Sequence, residues 1–187
     1  MKEIAETLYD FVQALETLNL PYAIMGGFAV RVYGIPRSTQ DVDIIVLCSD
    51  ETLQSLFREI EDRGYAVDEV YRRGGKDSVA GMPLVKCKRY IGGYPIDVDI
   101  FLCESLFQHS LLNRRRRDVA EDHEYWLVSP EHLLLLKLIA SRPRDYLDAK
   151  DVLFTQGQLD EEYLRHWAKE LGVLGKLEQV LKESREM

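Results

Sequence analysis

Asp41-Val42-Asp43-Ile44-Ile45-Val46 is the stretch on which the fold turns. Side chains two apart on a strand share a face, so Asp41, Asp43 and Ile45 stand opposite Val42, Ile44 and Val46, with the two aspartate Cα atoms roughly 7 Å apart. The apolar residues mark a core strand that carries both carboxylates at its start. Two anions this close repel unless something cationic lies between them. Mg2+ suits the position, being a hard ion held by one or two carboxylates plus phosphate oxygens and water. Solvated strand starts also carry such pairs, so the reading depends on what surrounds this one.

Upstream, Tyr22-Ala23-Ile24-Met25 reads as a short buried strand running into Gly26-Gly27, and a helix follows from Phe28 to about Tyr33, closed by Gly34 and Pro36. Glycine lets a ligand approach the backbone, and the free N–H groups at a helix start attract phosphate. A plain tight turn is the other reading of the same pair. Downstream, Leu84 to Ile91 and Pro95 to Leu102 predict paired strands about Gly92-Gly93. The second of these holds Ile96-Asp97-Val98-Asp99-Ile100, with Asp97 and Asp99 on one face of an otherwise apolar strand. Four acidic groups on two neighbouring strands are costly unless they serve a purpose, or else they form a solvated sheet face.

The remaining periodicities complete an α+β reading. Ile4, Leu8, Phe11, Val12, Leu15 and Leu18 line one face of an opening helix, and Leu53, Leu56, Phe57 and Ile60 that of a helix over 51–62. Tyr65 to Tyr71 reads as a strand, 72–76 as a polar turn, and a short helix beyond Glu104 leads to Arg114-Arg115-Arg116-Arg117. From Pro130 the pattern is helical throughout, over about 130–141, 144–155, 160–171 and 173–185. The expectation is a catalytic-type domain over 1–128, a mixed sheet flanked by helices, followed by a helical bundle over 129–187. In that bundle Lys137 is the one charge between Leu133 and Ala140. A buried ammonium needs a partner, which Asp148 or a bound triphosphate would supply; a lysine snorkelling from the helix rim is the alternative.

Gly26-Gly27, Arg37-Ser38-Thr39, Asp41-x-Asp43 and Asp97 together resemble the signature of the DNA polymerase β-like nucleotidyltransferase superfamily. The spelling is most similar to the branch that holds abortive-infection (AbiEii-type) toxins and aminoglycoside nucleotidyltransferases. Leu133 to Ile139 around Lys137, followed by Arg144 and Asp148, resembles the branch's lysine helix and Arg-x-x-x-Asp pattern. The likeness spans about residues 22–151, and its specificity lies in the combination. Position 27 holds glycine where minimal antitoxin-type enzymes read serine, so backbone groups would meet phosphate there.

The resemblance implies in-line attack by an acceptor hydroxyl on the α-phosphate of an NTP, with pyrophosphate leaving and two Mg2+ ions bridging the attacking and leaving oxygens. It implies Asp41, Asp43 and Asp97 as metal ligands, with Asp97 also a candidate base and Asp99 in reserve. Gly26, Gly27, Ser38 and Thr39 would cradle phosphates, Arg37 would balance triphosphate charge or pair with an aspartate, and Lys137 and Asp148 would complete the site. The acceptor could be RNA, a protein hydroxyl or a small molecule, and a homodimer or an antitoxin partner fits the same branch. Two other readings stay open: a non-catalytic nucleotide- or partner-binding module of this fold, and a metal-independent α/β binding protein.

Several features carry less. The formal charge of −8 argues against wholesale coating of nucleic acid. Cys48, Cys87 and Cys103 form no metal-ligand spacing with the four histidines and suit a reducing compartment. Glu3, Glu6 and Asp10 are out of keeping with a signal peptide, and no apolar run approaches spanning length, so a cytoplasmic protein without a membrane segment is expected. Gly74-Gly75-Lys76 lacks phosphate-loop spacing and reads as a solvated turn. The arginine run reads as an exposed charged linker, Trp126 and Trp167 as packing residues, and His132 as a capping or core histidine.

Overall fold

The computed structural model describes residues 2–120 and 123–186. Their eight strands are β1 (Tyr22–Ile24), β2 (Asp41–Val46), β3 (Tyr65–Val67), β4 (Asp77–Val79), β5 (Met82–Ile91), β6 (Tyr94–Leu102), β7 (Arg116–Ala120) and β8 (His123–Leu127). All belong to one sheet, in the order β3-β5-β6-β2-β1-β8-β7, with β4 pairing the other end of β5. The helices are α1 (Lys2–Thr17), α2 (Gly26–Tyr33), α3 (Asp50–Asp62), the single turn α4 (Glu69–Arg72), α5 (Leu106–Asn113), α6 (Pro130–Ala140), α7 (Pro143–Gln156), α8 (Glu161–Glu170) and α9 (Leu174–Arg185).

β2 sits near the middle of the sheet because its apolar residues need cover on both faces. Val42, Ile44, Ile45 and Val46 are all essentially inaccessible. β1 runs antiparallel to β2, with Ile24 opposite Ile44, and β6 runs parallel to it over six residue pairs. The β5–β6 hairpin turns at Gly92-Gly93, both with positive φ. The opening helix α1 packs against α3 and β2, and α2 packs against β2, α6 and α7. The helical stretch after Pro130 therefore leans on the sheet through α2. No helix among the described residues is long and apolar enough to cross a membrane.

Two parts of the sequence reading need correction. The strand expected over 65–71 stops at Val67, and Glu69 to Arg72 form a helical turn that places Gly75 against Val70. The Asp68 carbonyl accepts from the Tyr71 N–H at 3.0 Å and the Arg72 N–H at 3.4 Å, so the backbone closes a turn there instead of continuing the strand, with no side-chain cap from Asp68. The second correction concerns the Arg114 to Arg117 run, read from the sequence as an exposed charged linker: Arg116 and Arg117 open β7, which pairs antiparallel with β8. The four arginines are held rather than free. Arg114 lies over the Tyr163 ring at 3.8 Å and Arg115 over Trp126 at 4.6 Å, while Arg116 pairs with Glu131 and Arg117 with Glu124. Four consecutive charges hide the alternation by which a strand is recognised, because aromatic faces and carboxylates, not an apolar face, order them.

Candidate active site

The parallel register of β2 and β6 decides what the acidic residues can do. Asp41 stands beside Asp97, and Asp43 beside Asp99. All four share one face, since each pair is two residues apart on its strand. On the far side of β6, Lys88 of β5 is opposite Asp97 and Lys86 opposite Asp99. The face thus carries two rows, Asp41-Asp97-Lys88 and Asp43-Asp99-Lys86. Lys88 Nζ lies 3.5 Å from Asp97 Oδ1, in an exposed pair.

The inner row is electrostatically different. Burial, with Asp41 and Asp99 beside it, pushes the Asp43 carboxyl up to about 7, although Lys137 and the Gly27 N–H partly offset this. Burial also raises Asp99; Lys86 opposes the rise, and Asp41 and Asp97 add to it. Negative charge is therefore concentrated at Asp43 and Asp99 with less cationic compensation than it needs. The described residues contain no group of three His, Cys, Asp or Glu side chains already converged as a metal cage. Mg2+ does not require one, because it takes one or two carboxylates and completes its shell with water and phosphate oxygens. The donor set of Asp41, Asp43 and Asp99 fits that open kind of site.

The glycine turn is built around these carboxylates. Met25 N–H donates to the Asp43 carbonyl at 2.9 Å, which ties the start of α2 to β2. Gly26 has φ +62°, and a Cβ there would lie 1.8 Å from Asp43 Oδ2. A Cβ on Gly27 would lie 2.4 Å from Thr39 Oγ1. Thr39 is buried, and its hydroxyl donates to Asp41 Oδ1 at 2.8 Å. The structure thus brings Gly26, Gly27, Thr39, Asp41 and Asp43 into one cluster, whereas Ser38 is exposed at the surface.

A second cluster stands on the helices. Lys137 of α6 is buried, and its Nζ lies 2.9 Å from Asp145 Oδ1 and 2.8 Å from Asp148 Oδ2, both on α7. Arg37 meets the same Asp148 in a bidentate pair, Nε to Oδ1 at 2.9 Å and Nη2 to Oδ2 at 2.8 Å. Burial would raise the Asp148 pKa, but hydrogen bonds from Arg37 and Lys137 outweigh it and hold the carboxyl below its ordinary range. Asp145 is the residue that sequence reasoning did not assign. Its signal was the spacing, because 145 and 148 fall on one face of a helix and a buried ammonium can use two acceptors. The clusters meet at a cavity of about 80 Å³ lined by Gly26, Asp43, Lys137 and Asp145 together with apolar residues including Met82 and Leu136.

Residues outside the site take structural roles. Lys76 pairs with Glu104 at 3.0 Å and Asp50 at 3.6 Å. His132 is fully buried, with Nδ1 2.9 Å from Ser129 Oγ and Nε2 2.9 Å from the Tyr163 hydroxyl.

No protein-family model and no curated protein matches the sequence. Solved structures do match the fold. An antigenic nucleotidyltransferase-like protein from Paracoccidioides brasiliensis superimposes with a TM-score of 0.58 at 19% identity, covering 97% of this chain and 93% of that one. ANT(2'')-Ia in complex with adenylyl-2''-tobramycin gives 0.58 at 14% identity, covering 91% of this chain and 98% of that one. The lincosamide antibiotic adenylyltransferase LnuA, lincomycin-bound, gives 0.55 at 18% identity, covering 79% and 94%. The chain has the nucleotidyltransferase fold, a mixed sheet flanked by helices with further helices at its C-terminal end, as the sequence resemblance implied.

Proposed function

We propose that the chain is a Mg2+-dependent enzyme that transfers a nucleotidyl group from an NTP to a hydroxyl acceptor and releases pyrophosphate. The observation that carries this reading is the carboxylate face of β2 and β6 opening beside the Gly26-Gly27 turn and Lys137, with Asp43 held at an unfavourable charge. A solvated sheet face would have no reason to seat a half-buried Asp43 in the space that a Cβ at position 26 would fill. Fold likeness alone does not carry activity, so the reading rests on these residues.

Asp41 and Asp43 would hold the ions, and Asp99 takes the third place ahead of Asp97. Asp99 is half-buried beside Asp43, whereas Asp97 is exposed and faces Lys88. When bound, the ions would polarise the α-phosphate and steady the charge on the entering and leaving oxygens. Asp99 would also accept the proton of the acceptor hydroxyl. Lys137, at the wall of the cavity that Asp43 and Gly26 also line, would meet the triphosphate, and Arg37 would support it through Asp148. The cation pair is already matched by Asp145 and Asp148, so the phosphates must compete for it. That competition orients the donor without an unpaired buried charge in the free protein. The adenylyl-tobramycin and lincomycin complexes of the structural neighbours make a small hydroxyl-bearing molecule one acceptor class to offer, beside RNA and protein.

The test is label transfer from each of four α-32P NTPs with Mg2+, offered total RNA, cell protein, and aminoglycoside and lincosamide mixtures. Label is expected in one pool, and none in the Asp43→Asn variant. NTP binding with no transfer to any pool would move the assignment to a non-catalytic module of this fold.

A further inference from the structure

Thr39 spends its one hydroxyl proton on a carboxylate. Its Oγ1 donates to Asp41 Oδ1 at 2.8 Å, while the Asp41 main-chain oxygen stands farther off at 3.4 Å. The residue is 7% exposed although it follows two loop residues that are not buried. Gly27 helps to enclose it: a Cβ at 27 would lie 2.4 Å from Oγ1 and 2.8 Å from the Thr39 Cβ. A threonine side chain has one heavy-atom torsion, so the wall beside it fixes where the hydroxyl points.

We infer that Thr39 is a positioning residue that sets the orientation of the Asp41 carboxylate, with Gly27 as the surface that holds it in place. The inference rests on the nucleotidyltransferase reading of the site. One oxygen of Asp41 is tied to the protein, and on the proposed reading the other would serve the cation. The strand alone would not do this, because Asp41 is exposed and its side chain would otherwise rotate freely. Gly26 serves Asp43 in the same way, since the space its Cβ would fill holds Oδ2. Each glycine of the pair therefore seats one carboxylate, Gly26 directly and Gly27 through Thr39. This assigns Thr39 a partner other than phosphate.

Thr39→Val keeps the volume and removes the donor, Thr39→Ser keeps the donor, and Gly27→Ala displaces it. Mn2+ binding, followed by the loss of the free-ion EPR signal on titration, reads the carboxylates without turnover. Outer hydrogen-bond partners of metal ligands are worth about ten- to hundredfold in metal affinity. Thr39→Val should weaken Mn2+ by about that factor, Gly27→Ala should weaken it too, and Thr39→Ser should remain near wild type. In the transfer assay the Mg2+ concentration for half-maximal rate should rise in Thr39→Val while the KM for NTP at saturating Mg2+ holds. Wild-type Mn2+ affinity in Thr39→Val, with binding abolished in Asp43→Asn, overturns the inference and leaves the site reading intact. Equal weakening in Thr39→Ser and Thr39→Val also overturns it, since packing rather than the hydroxyl would then be responsible. No Mn2+ binding by the wild-type chain would remove both.

Discussion

At the scale of single residues, Asp43 is held in a state that it would leave if it could. Its carboxyl titrates at about 7 in the fold because burial comes first and Asp41 and Asp99 second, whereas a free aspartate ionises near 3.9. The folded chain therefore keeps a proton there that the unfolded chain has lost. The Asp43 contribution to wild-type stability without divalent ions should fall as pH rises from about 4 to about 7, and the loss is complete above 7. Asp43→Asn removes the anion, so its thermal midpoint in EDTA should exceed wild type at pH 8. A gain of about 1 kcal/mol, or ~2–4 °C in a chain of this size, is expected, and it should vanish near pH 4. A variant that melts no higher than wild type at pH 8 would contradict the charge imbalance described here. Asp41, Asp43, Gly26 and Gly27 were all legible in the sequence, because strand alternation and a glycine pair after a strand are local signals. Which of Asp97 and Asp99 stands beside Asp43 was not, because it depends on the register of β2 against β6. Thr39 was read as a phosphate contact, and only the packing of Gly27 shows its hydroxyl turned to Asp41.

At the scale of elements, α6 shows how one helix serves structure and site together. Ser129 caps its start and Pro130 opens it. Within the first turn, His132 lies between Ser129 and Tyr163 of α8, and farther along Lys137 reaches α7. Burial lowers the His132 pKa to about 4, with Arg114 adding to the shift and Glu131 opposing it. The unfolded chain takes up a proton near 6.5 that the fold refuses. The His132 contribution to stability should accordingly fall as pH drops from 6.5 towards 4, opposing that of Asp43, by up to about 1.4 kcal/mol per pH unit. The urea midpoint of wild type measured against that of His132→Gln should fall from pH 7 to 5.5 to 4.5, and a constant difference would discount the histidine. The helices after Pro130 were readable from periodicity within a residue or two. β7 was not, because Arg114 to Arg117 gain their order from Tyr163, Trp126, Glu131 and Glu124, none adjacent in sequence. β3 was overextended for the opposite reason: Val70 and Tyr71 are strand-like residues, yet the main chain closes a helical turn on the Asp68 carbonyl.

For the whole molecule, α2 joins the sheet to the C-terminal helices. At one end it is pinned to β2 by Met25 N–H and the Asp43 carbonyl. At the other, the Tyr33 carbonyl accepts from the Thr155 hydroxyl and from Gln156 Nε2 at 2.9 Å, both on α7. Arg37, just past α2, adds the bidentate pair with Asp148. Sheet and helices should therefore unfold together. Trp126 lies in β8 and Trp167 in α8, so the Trp126→Phe and Trp167→Phe variants each report one side by fluorescence. Within each variant, the midpoint of the remaining tryptophan in urea should coincide with that from far-ultraviolet circular dichroism, and separated midpoints would show two units that unfold independently. Over a longer span, the close fit of Gly26 to Asp43 also links two positions in inheritance. A side chain at position 26 would strain the backbone and drive the Asp43 carboxylate from its place, so a lineage would be expected to change the two together. On the proposed function, a descendant that had given up metal chemistry would be free to do so, and the two positions read as a pair would mark that loss in a family tree.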